Sequence, residues 1–574
     1  MTDNRITRRH FFYGALLAGA IPAGGFGRVP SLKFLGYQSP NEKLNIAGIG
    51  AGAQAFNDLR GCETENIVAL ADVDWARAEA GFQRYEKAAK YKDYRQMIDK
   101  EGKNIDAVVI GIPDHNHTAA AVYCMQRGKG VYVEKPLTRI ASEARLLYQA
   151  AQKYKVATQM GNQGYSHEAT RVACEIMWAG EIGDVKEVHA YRGRPSWPQG
   201  MTKTPPPTPV PATLDWDLWL GTAAFRPFTA GDQEYKDFVA ARAAARGGGA
   251  GGARGAAAAA DPASAGAGAR GADQAGRGGG GMQNEDFGYY LPFNWRGFYD
   301  FGSSLIGDWG VHILGPANWG LKLHPQYLVS VECIKKDPLP PTTFPNLFVI
   351  KYDFAARGNM PPVTVYWYQQ EGGDAYLPPG MTAEQARQIP GTGPQITSGR
   401  GGAAGARGAA AAGGAAGGAR QGGAAAGAAA GAAGGARQGG AAGAGGRGPG
   451  GGQQGSGYNC IFVGSKGHMG TSGRGEGVGL LPGERWADYT LPPQFLTRSP
   501  GHQRDWIRAC KGGVPACSEF GIAAPYTEWL VLGSAAVRVE GKLLYDAKTG
   551  LFTNNRDANK FLQLDYRKGW EVKL

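Results

Sequence analysis

Residues 43–60 read KLNIAGIGAGAQAFNDLR, and this stretch decides the fold of the N-terminal part of the chain. Residues 43–47 (KLNIA) predict a short buried strand, and residues 54–60 predict a helix. The loop between them holds small residues in a G-x-G-x-x-A pattern: Gly48, Ile49, Gly50, Gly52 and Ala53. Glycines let a chain turn tightly and bring backbone N–H groups against a pyrophosphate at a helix N-terminus. The stretch therefore predicts a dinucleotide-binding loop.

A second strand candidate, residues 66–71 (NIVALA), ends at Asp72. The spacing from the glycine loop is that of an acid that hydrogen-bonds the adenosine ribose hydroxyls. A carboxylate at this place repels a 2′-phosphate, so the sequence favours NAD over NADP. The alternative interpretation is that Asp72 and Asp74 only cap a helix that begins near Trp75.

Two more apolar runs, residues 105–110 and 130–133, are separated by a helical stretch at 118–127. Alternating strands and helices predict an α/β fold with a doubly wound parallel sheet. Ligands of such sheets gather at the carboxyl ends of the strands. Two polar segments follow these strands, residues 112–117 (IPDHNH) and residues 134–136 (EKP).

With these segments the chain resembles the glucose–fructose oxidoreductase and inositol dehydrogenase family (Gfo/Idh/MocA). The motifs that carry the resemblance are the Gly48 loop, Asp72, residues 113–117, residues 134–136 and residues 308–312 (DWGVH). With general likeness, the resemblance covers most of residues 44–574 outside two Ala/Gly-rich segments.

The family resemblance implies a Rossmann domain over residues 43–165 and a C-terminal α/β domain with a large open sheet over residues 166–574. Family members often use that sheet to oligomerise, so a homo-oligomer is expected. The resemblance adds four cofactor contacts to those of the glycine loop and Asp72: Pro113, His117, Glu134 and Lys135.

The resemblance also implies that Lys135 and His312 lie at a hydride-transfer centre with Asp308 close by. Oxidation of a secondary alcohol needs a base for its proton, and histidine has an unperturbed pKa of about 6.5. A lysine beside an oxidised nicotinamide has a lowered pKa and can share that proton. Asp308 and His312 are spaced i, i+4, which puts them on one face of a helix. The alternative is a helix-capping Asp308 and a core His312.

One position departs from the family pattern. Many members carry an acid three residues after this histidine, and the residue there is Gly315. The resemblance therefore transfers the reaction class but no particular substrate specificity.

The C-terminal domain holds five strand candidates rich in β-branched and aromatic residues: residues 185–191, 327–334, 347–352, 363–368 and 458–463. The proline-rich residues 201–211 predict an extended strap. Residues 293–301 (FNWRGFYDF) are aromatic and precede Asp308. Sugar rings pack on aromatic faces, so the candidate substrate contacts are Trp295, Arg296 and Tyr299, with Trp197 as a weaker one. Burial in a core is the alternative for these aromatic side chains.

The net charge of +12 sits in three segments. Residues 1–36 carry +4, and two Ala/Gly/Arg-rich segments, residues 240–281 and 399–457, carry +3 and +5. The remainder is neutral, so the folded part lacks the basic surface of a nucleic-acid-binding protein, and no nucleic-acid partner is expected. The two segments contain almost nothing to bury and predict structureless insertions. Seven scattered cysteines without a C-x-x-C pattern suggest neither a metal site nor a disulfide framework.

Residues 7–17 read TRRHFFYGALL and resemble a twin-arginine (Tat) signal peptide, which we assign to residues 1–36. The apolar run at 11–20 is shorter than the roughly 20 residues of a membrane-spanning helix, so no stable membrane insertion is expected. The Tat machinery is then a partner and the periplasm the expected location. The alternative is a frayed basic N-terminus.

Together these patterns predict an exported NAD-dependent oxidoreductase that acts on a secondary hydroxyl of a small-molecule sugar and recycles a tightly held cofactor. Two other functions stay open. One is an NAD-dependent glycoside hydrolase that oxidises its sugar transiently, and the other is a non-catalytic carbohydrate-binding protein.

Overall fold

The computed structural model describes residues 42–247, 288–370, 396–397, 458–482, 485, 489–563 and 565–574. The predicted export signal at residues 1–36 lies outside the described residues. So do residues 248–281 and 399–457, which make up most of the two predicted insertions.

Six parallel strands form the first sheet, in the order β3-β2-β1-β4-β5-β6. They are β1 (Asn45–Ile49), β2 (Asn66–Ala71), β3 (Ala89–Tyr91), β4 (Ala107–Ile110), β5 (Gly130–Val133) and β6 (Thr158–Met160). Each neighbouring pair is parallel. The strand order reverses between β1 and β4, which is the doubly wound arrangement. The α/β prediction is therefore confirmed, with β3 and β6 as strands that the sequence analysis did not identify.

Ten strands form the second sheet, in the order β11-β14-β13-β12-β7-β10-β9-β8-β15-β16. They are β7 (Val185–Arg192), β8 (Leu328–Lys336), β9 (Phe348–Phe354), β10 (Val363–Gln369), β11 (Ile396–Thr397), β12 (Cys460–Gly464), β13 (His468–Thr471), β14 (Gly477–Leu481), β15 (Leu543–Asp546) and β16 (Leu551–Phe552). Its pairs are antiparallel except that of β7 with β10. This sheet is the large open sheet expected of the C-terminal domain.

Thirteen α-helices occur within the described ranges. They are α1 (Ala53–Gly61), α2 (Trp75–Arg84), α3 (Tyr94–Glu101), α4 (His117–Met125), α5 (Ala141–Tyr154), α6 (Glu168–Trp178), α7 (Trp216–Leu220), α8 (Gln233–Gly247), α9 (Ser304–Asp308), α10 (Gly310–Ile313), α11 (Gly315–Gly320), α12 (His502–Cys510) and α13 (Phe520–Ala536).

Two late helices, α12 and α13, pack on the first sheet although they lie near the C-terminus. Trp506 of α12 belongs to the apolar cluster beneath β1, and the amide of Met160 in β6 donates to the carbonyl of Ser518 at 2.9 Å. Helix α13 contributes to a hydrophobic cluster that also contains side chains of both sheets. The two domains therefore share one continuous core.

Helix α8 departs from the sequence prediction. The prediction placed residues from 240 onward in a structureless insertion, but α8 continues to residue 247. Arg242 on this helix is buried and donates to the carbonyl oxygens of Gln199, Pro195 and Trp197. The alanines at 240–245 are good helix formers, and a buried arginine with several acceptors anchors them.

The proline-rich residues 201–211 contain no helix or strand, in agreement with the predicted strap. Just beyond them the chain crosses to the first domain and lies against the loop that follows β2. The Trp75 amide donates to the Thr213 carbonyl at 3.1 Å, and the Asp215 amide donates to the Val73 carbonyl at 2.9 Å. Residues 213–215 thus cover the end of β2 next to Asp72.

All seven cysteines are free thiols, and five of them are buried. In the part of the chain that the structure describes, no helix is both long and apolar enough to cross a bilayer.

Candidate functional site

The glycine loop joins β1 to α1 and leaves no room for side chains at two positions. Gly50 has φ +91°, and a Cβ there would lie 2.6 Å from the Gly111 carbonyl oxygen. A Cβ on Gly52 would lie 2.4 Å from the carbonyl oxygen of Arg77. Ala53 is the first residue of α1. The loop therefore presents backbone at a helix N-terminus, which suits the phosphates of a dinucleotide.

Asp72 ties the end of β2 to the glycine loop. Its Oδ2 accepts a hydrogen bond from the Ala51 amide at 2.8 Å, and its Oδ1 accepts one from the Asp74 amide at 2.9 Å. Burial raises the pKa of Asp72, while these two amides oppose the shift. Asp74 is the residue that caps α2, through the Arg77 amide. Asp74 therefore caps the helix, whereas Asp72 is hydrogen-bonded to the glycine loop, and its contact with the ribose stays a prediction.

Lys135, Asp308 and Arg296 form the charged centre of the site. Nζ of Lys135 donates to Oδ1 of Asp308 at 2.7 Å, and Nε of Arg296 donates to the same oxygen at 3.1 Å. Lys135 follows β5, whereas Asp308 ends α9 and Arg296 lies in the aromatic segment before it. Burial alone would raise the pKa of Asp308, but the two cations hold it well below its usual range. Asp308 is therefore an ionised carboxylate that joins the two domains.

His312 lies beside this ion pair and is 2% exposed. The hydrogen bond from the Ile313 amide to the Trp309 carbonyl spans the break between α9 and α10, so Asp308 and His312 lie one turn apart as expected. Burial, and then the charge of Lys135, lowers the pKa of His312 well below its ordinary value. Its Nδ1 is buried without a hydrogen-bond partner. The site thus holds a neutral imidazole with an unused polar atom, as catalytic groups often do.

Two buried carboxyls near the centre were not chosen from the sequence. Asp114 accepts a hydrogen bond from Ser303, and burial raises its pKa well above the usual range. Asp58 of α1 lies beside Glu134, and burial together with that neighbour raises the pKa of Asp58. Burial also raises the pKa of Glu134, although the charge of Lys135 opposes this shift. Asp58 had no sequence signal, whereas Asp114 lies inside the polar segment after β4.

The structure brings the polar segments after β4 and β5 into contact through His117. Its Nδ1 lies 2.9 Å from the Pro136 carbonyl oxygen, and its Nε2 lies 2.7 Å from that of Ile112. Pro113 precedes the short turn that leads to this histidine. Glu134 accepts a hydrogen bond from the Lys135 amide at 3.1 Å. His117 and Glu134 therefore position the Lys135 segment.

The four candidate substrate contacts fall into two groups, one arginine at the site and three buried aromatic side chains. Arg296 is at the site, with its guanidinium 4.2 Å from the Trp295 ring centroid. Trp197, Trp295 and Tyr299 are each less than a tenth exposed. Trp197 donates to Gln199 and Tyr299 packs on Phe344, so all three aromatic side chains contribute to packing.

Known proteins are similar to this chain mainly in its N-terminal part. Residues 43–162 match the model of an oxidoreductase family with an NAD-binding Rossmann fold, GFO_IDH_MocA. Inositol 2-dehydrogenase 1 of Saccharopolyspora erythraea is 30% identical over 156 residues, which are 25% of this chain and 44% of that protein. Inositol 2-dehydrogenase of Salmonella typhimurium is 31% identical over 154 residues, 26% of this chain and 44% of that protein. The chain thus spans less than half the length of these relatives. An oxidoreductase structure from Thermotoga maritima aligns with 89% of this chain and 100% of its own at 12% identity and a TM-score of 0.47.

Proposed function

We propose, on the premise that residues 43–162 are the NAD-binding Rossmann domain of a Gfo/Idh/MocA oxidoreductase, that this protein oxidises a secondary hydroxyl of a sugar or sugar derivative. The observation that carries the proposal is the 2.7 Å contact between Lys135 and Asp308 beside the neutral His312. A cation and a neutral base meet there at the carboxyl end of the Rossmann sheet, where ligands of such sheets bind.

Residues of this chain can accept the proton that leaves the substrate hydroxyl. When bound, NAD supplies the nicotinamide that takes up the hydride. His312 is the group able to accept the hydroxyl proton, because burial and nearby cations keep its imidazole neutral at pH 7. Lys135 donates a hydrogen bond to the substrate oxygen and is held in place by Asp308. The glycine loop and Asp72 hold the dinucleotide.

We further propose that the cofactor is retained through many turnovers and that the protein is exported by the Tat route. Outside the cytoplasm free nicotinamide cofactor is scarce, so an exported enzyme needs to keep its own. The support in the fold is the segment 213–215 just beyond the strap, which lies against residues 73–75 beside Asp72 through two backbone hydrogen bonds. A covered ribose end slows dissociation of a dinucleotide. A second sugar substrate then takes up the hydride and is itself reduced, which restores the starting redox state within each cycle.

The test uses full-length protein from the periplasmic fraction of an expression host. Mass spectrometry identifies the bound nucleotide, and absorbance follows its reduction while a panel of free sugars and glycosides is added. We expect bound NAD and sugar-dependent reduction, both without added cofactor. Lys135→Met is expected to abolish reduction. Its matched control is Lys203→Met, since Lys203 pairs with Glu234 at 2.8 Å on the surface.

Three outcomes would contradict parts of the proposal. Activity that appears only when free NAD is added would contradict the proposal that the protein retains its cofactor. Release of an aglycone without net reduction would favour the redox-assisted glycoside hydrolase. Export of the Arg8→Lys, Arg9→Lys protein at the wild-type level would contradict the proposal that the protein is exported by the Tat route.

A further inference from the structure

Two arginines from the second sheet lie on Trp309, the residue between Asp308 and the helix that carries His312. Arg192 is the last residue of β7, and its guanidinium carbon lies 3.7 Å from the centroid of the Trp309 ring. Arg474 lies in the turn between β13 and β14, 5.4 Å from the same centroid. The sequence analysis chose neither residue. Both guanidiniums are thereby fixed beside the proposed hydride-transfer centre.

The site holds more positive than negative charge. Lys135 and Arg296 already share the single carboxylate of Asp308. Among the residues that the structure describes, neither Arg192 nor Arg474 has a carboxylate oxygen within 4.0 Å. Glu476, the nearest acid in sequence to Arg474, accepts hydrogen bonds from Ser472 and from the Arg474 backbone amide instead.

The surroundings do not compensate for this charge. Burial, and in addition the proximity of Arg474, shifts the pKa of Arg192 downward, whereas Asp308 opposes that shift. Arg474 in turn helps to keep His312 neutral. Burial raises the pKa of Asp114, and the charges that act most strongly on it are those of Arg296, Asp308 and Lys135. A partly buried guanidinium without an anion is unfavourable, and carboxylates and phosphates pair with guanidinium in bidentate hydrogen bonds.

We propose that the substrate is an anionic sugar, whose carboxylate or phosphate is bound by Arg192 and Arg474 while its hydroxyl faces Lys135 and His312. This inference rests on the proposed function, because it takes the Lys135 centre as the place of oxidation. The Trp309 ring lies against both guanidiniums, and a guanidinium stacked on an aromatic ring can still donate its N–H groups to an oxyanion. A neutral sugar fits the same centre but leaves the two cations unpaired.

The test is calorimetric binding to the full chain with its NAD bound. The probes are the hexuronate, the hexose 6-phosphate and the neutral hexose of the gluco, galacto and manno series. We expect at least one anionic sugar to bind about tenfold to a hundredfold more tightly than its neutral counterpart, as for hydrogen bonds to charged groups. The uronate and phosphate arms identify which oxyanion the site takes. Equal affinity for anionic and neutral sugars in every series would overturn the proposal.

Variants locate the preference. Arg192→Met and Arg474→Met keep the apolar stem and remove the charge, so each is expected to lose the tenfold preference while affinity for the neutral sugar stays within about twofold. Arg192→Lys should retain part of it. The matched control is Arg127→Met, since Arg127 lies 3.5 Å from the Tyr123 ring on the surface of the first domain. If both Met variants weaken anionic and neutral sugars equally, the arginines do not bind an anion.

The binding test is independent of turnover. Charge-dependent binding without reduction of the cofactor by any sugar would leave the anion site in place and refute the proposed oxidoreductase. Reduction of the cofactor by neutral sugars, without any preference for anionic sugars, would support the proposed oxidoreductase and refute the anion site. An Arg192→Met protein that fails to fold leaves the wild-type comparison and Arg474→Met to decide.

Discussion

Asp308→Asn tests the charge arrangement of the site most directly. Asparagine keeps the size of the side chain and a carbonyl acceptor but removes the negative charge. In the wild-type protein that charge lies 2.7 Å from Nζ of Lys135 and 3.1 Å from Nε of Arg296. The variant leaves these two cations facing each other across a neutral amide, so we expect the folded protein to lose stability.

The magnitude follows from burial of the three side chains. Those of Asp308, Lys135 and Arg296 are 7%, 17% and 19% exposed, so the ion pair is largely withdrawn from water. Removal of one partner of a buried ion pair costs about 3–5 kcal/mol. The two cations keep some access to water, so we expect the lower end, about 3 kcal/mol. At roughly 2–4 °C per kcal/mol, the Tm of the variant should fall by about 6–12 °C.

The pH dependence of this loss has a definite sign. Burial favours the protonated form of Asp308, but the combined effect of Lys135 and Arg296 is larger. It holds the pKa of Asp308 below the unfolded value of about 3.9. A group with a depressed pKa in the folded state stabilises the fold above its unfolded pKa, and that contribution is lost as the pH falls through the folded pKa. The difference in unfolding free energy between wild type and variant should stay constant from pH 5 to pH 8 and shrink below about pH 4.

The assay is urea denaturation at pH 7 of wild type, Asp308→Asn, Lys135→Met and the double variant. The double variant removes one of the two cations that Asp308→Asn leaves without a carboxylate. We therefore expect it to regain part of the lost unfolding free energy, with a coupling free energy of at least about 1 kcal/mol. Glu234→Gln, in the exposed pair with Lys203, is the control and should change stability by less than about 1 kcal/mol. Strict additivity, or an Asp308→Asn protein as stable as wild type, would refute this reasoning.

Four further predictions concern the proposed chemistry and the chain around it. Lys135→Ala and His312→Ala should each lower turnover at least about a hundredfold with NAD still bound, and a near-normal rate removes that residue from the mechanism. Because the pKa of His312 is depressed, the acid limb of kcat/KM should fall well below pH 6.5, and a limb at 6.5 would contradict its neutral state. Calorimetry on cofactor-stripped protein should give tighter binding of NAD than of NADP, since Asp72 repels a 2′-phosphate. Replacement of residues 399–457 by a short Gly/Ser linker should leave the Tm within a few degrees, and a large drop would show that the segment is packed.

Local sequence patterns predicted the first domain well, because its strands are short buried runs bounded by polar segments. The predicted ranges 66–71 and 130–133 coincide with β2 and β5. The three-residue strands β3 and β6 escaped prediction, since runs of this length carry no periodicity. Helix α13 was also missed. Its residues are apolar on every side because it is buried between the domains, so the amphipathic signal of a surface helix is absent.

The sequence indicated the charged centre only in part. Lys135 and His312 belong to recognisable sequence motifs, residues 134–136 and 308–312. Arg192 and Arg474 belong to no such motif and lie at a strand end and in a turn. Pairing of β7 with β12, and of β12 with β13, brings their regions together, and no local pattern encodes that pairing. For the aromatic residues 293–301 the sequence left both contact with a sugar and burial in a core open, and most of their rings are buried. Contact of Trp295 and Tyr299 with a sugar stays a prediction.

The site's construction bears on how such a protein could be exported. Lys135, His312 and Arg474 come from widely separated parts of the chain, and helix α13, close to the C-terminus, completes the core shared by both domains. The complete site therefore depends on residues from most of the length of the chain. Residues 213–215, just beyond the strap, lie against the loop after β2, next to the proposed ribose site. If the protein is exported and keeps its cofactor beneath residues 213–215, as we propose, that cofactor has to be acquired where it is available, before export. Transport of an unfolded chain would leave that step to a compartment poor in NAD, whereas the Tat route proposed for residues 1–36 carries folded proteins. The proposed cofactor retention and the proposed twin-arginine signal are in this way two consequences of one requirement, and loss of either prediction would weaken the other.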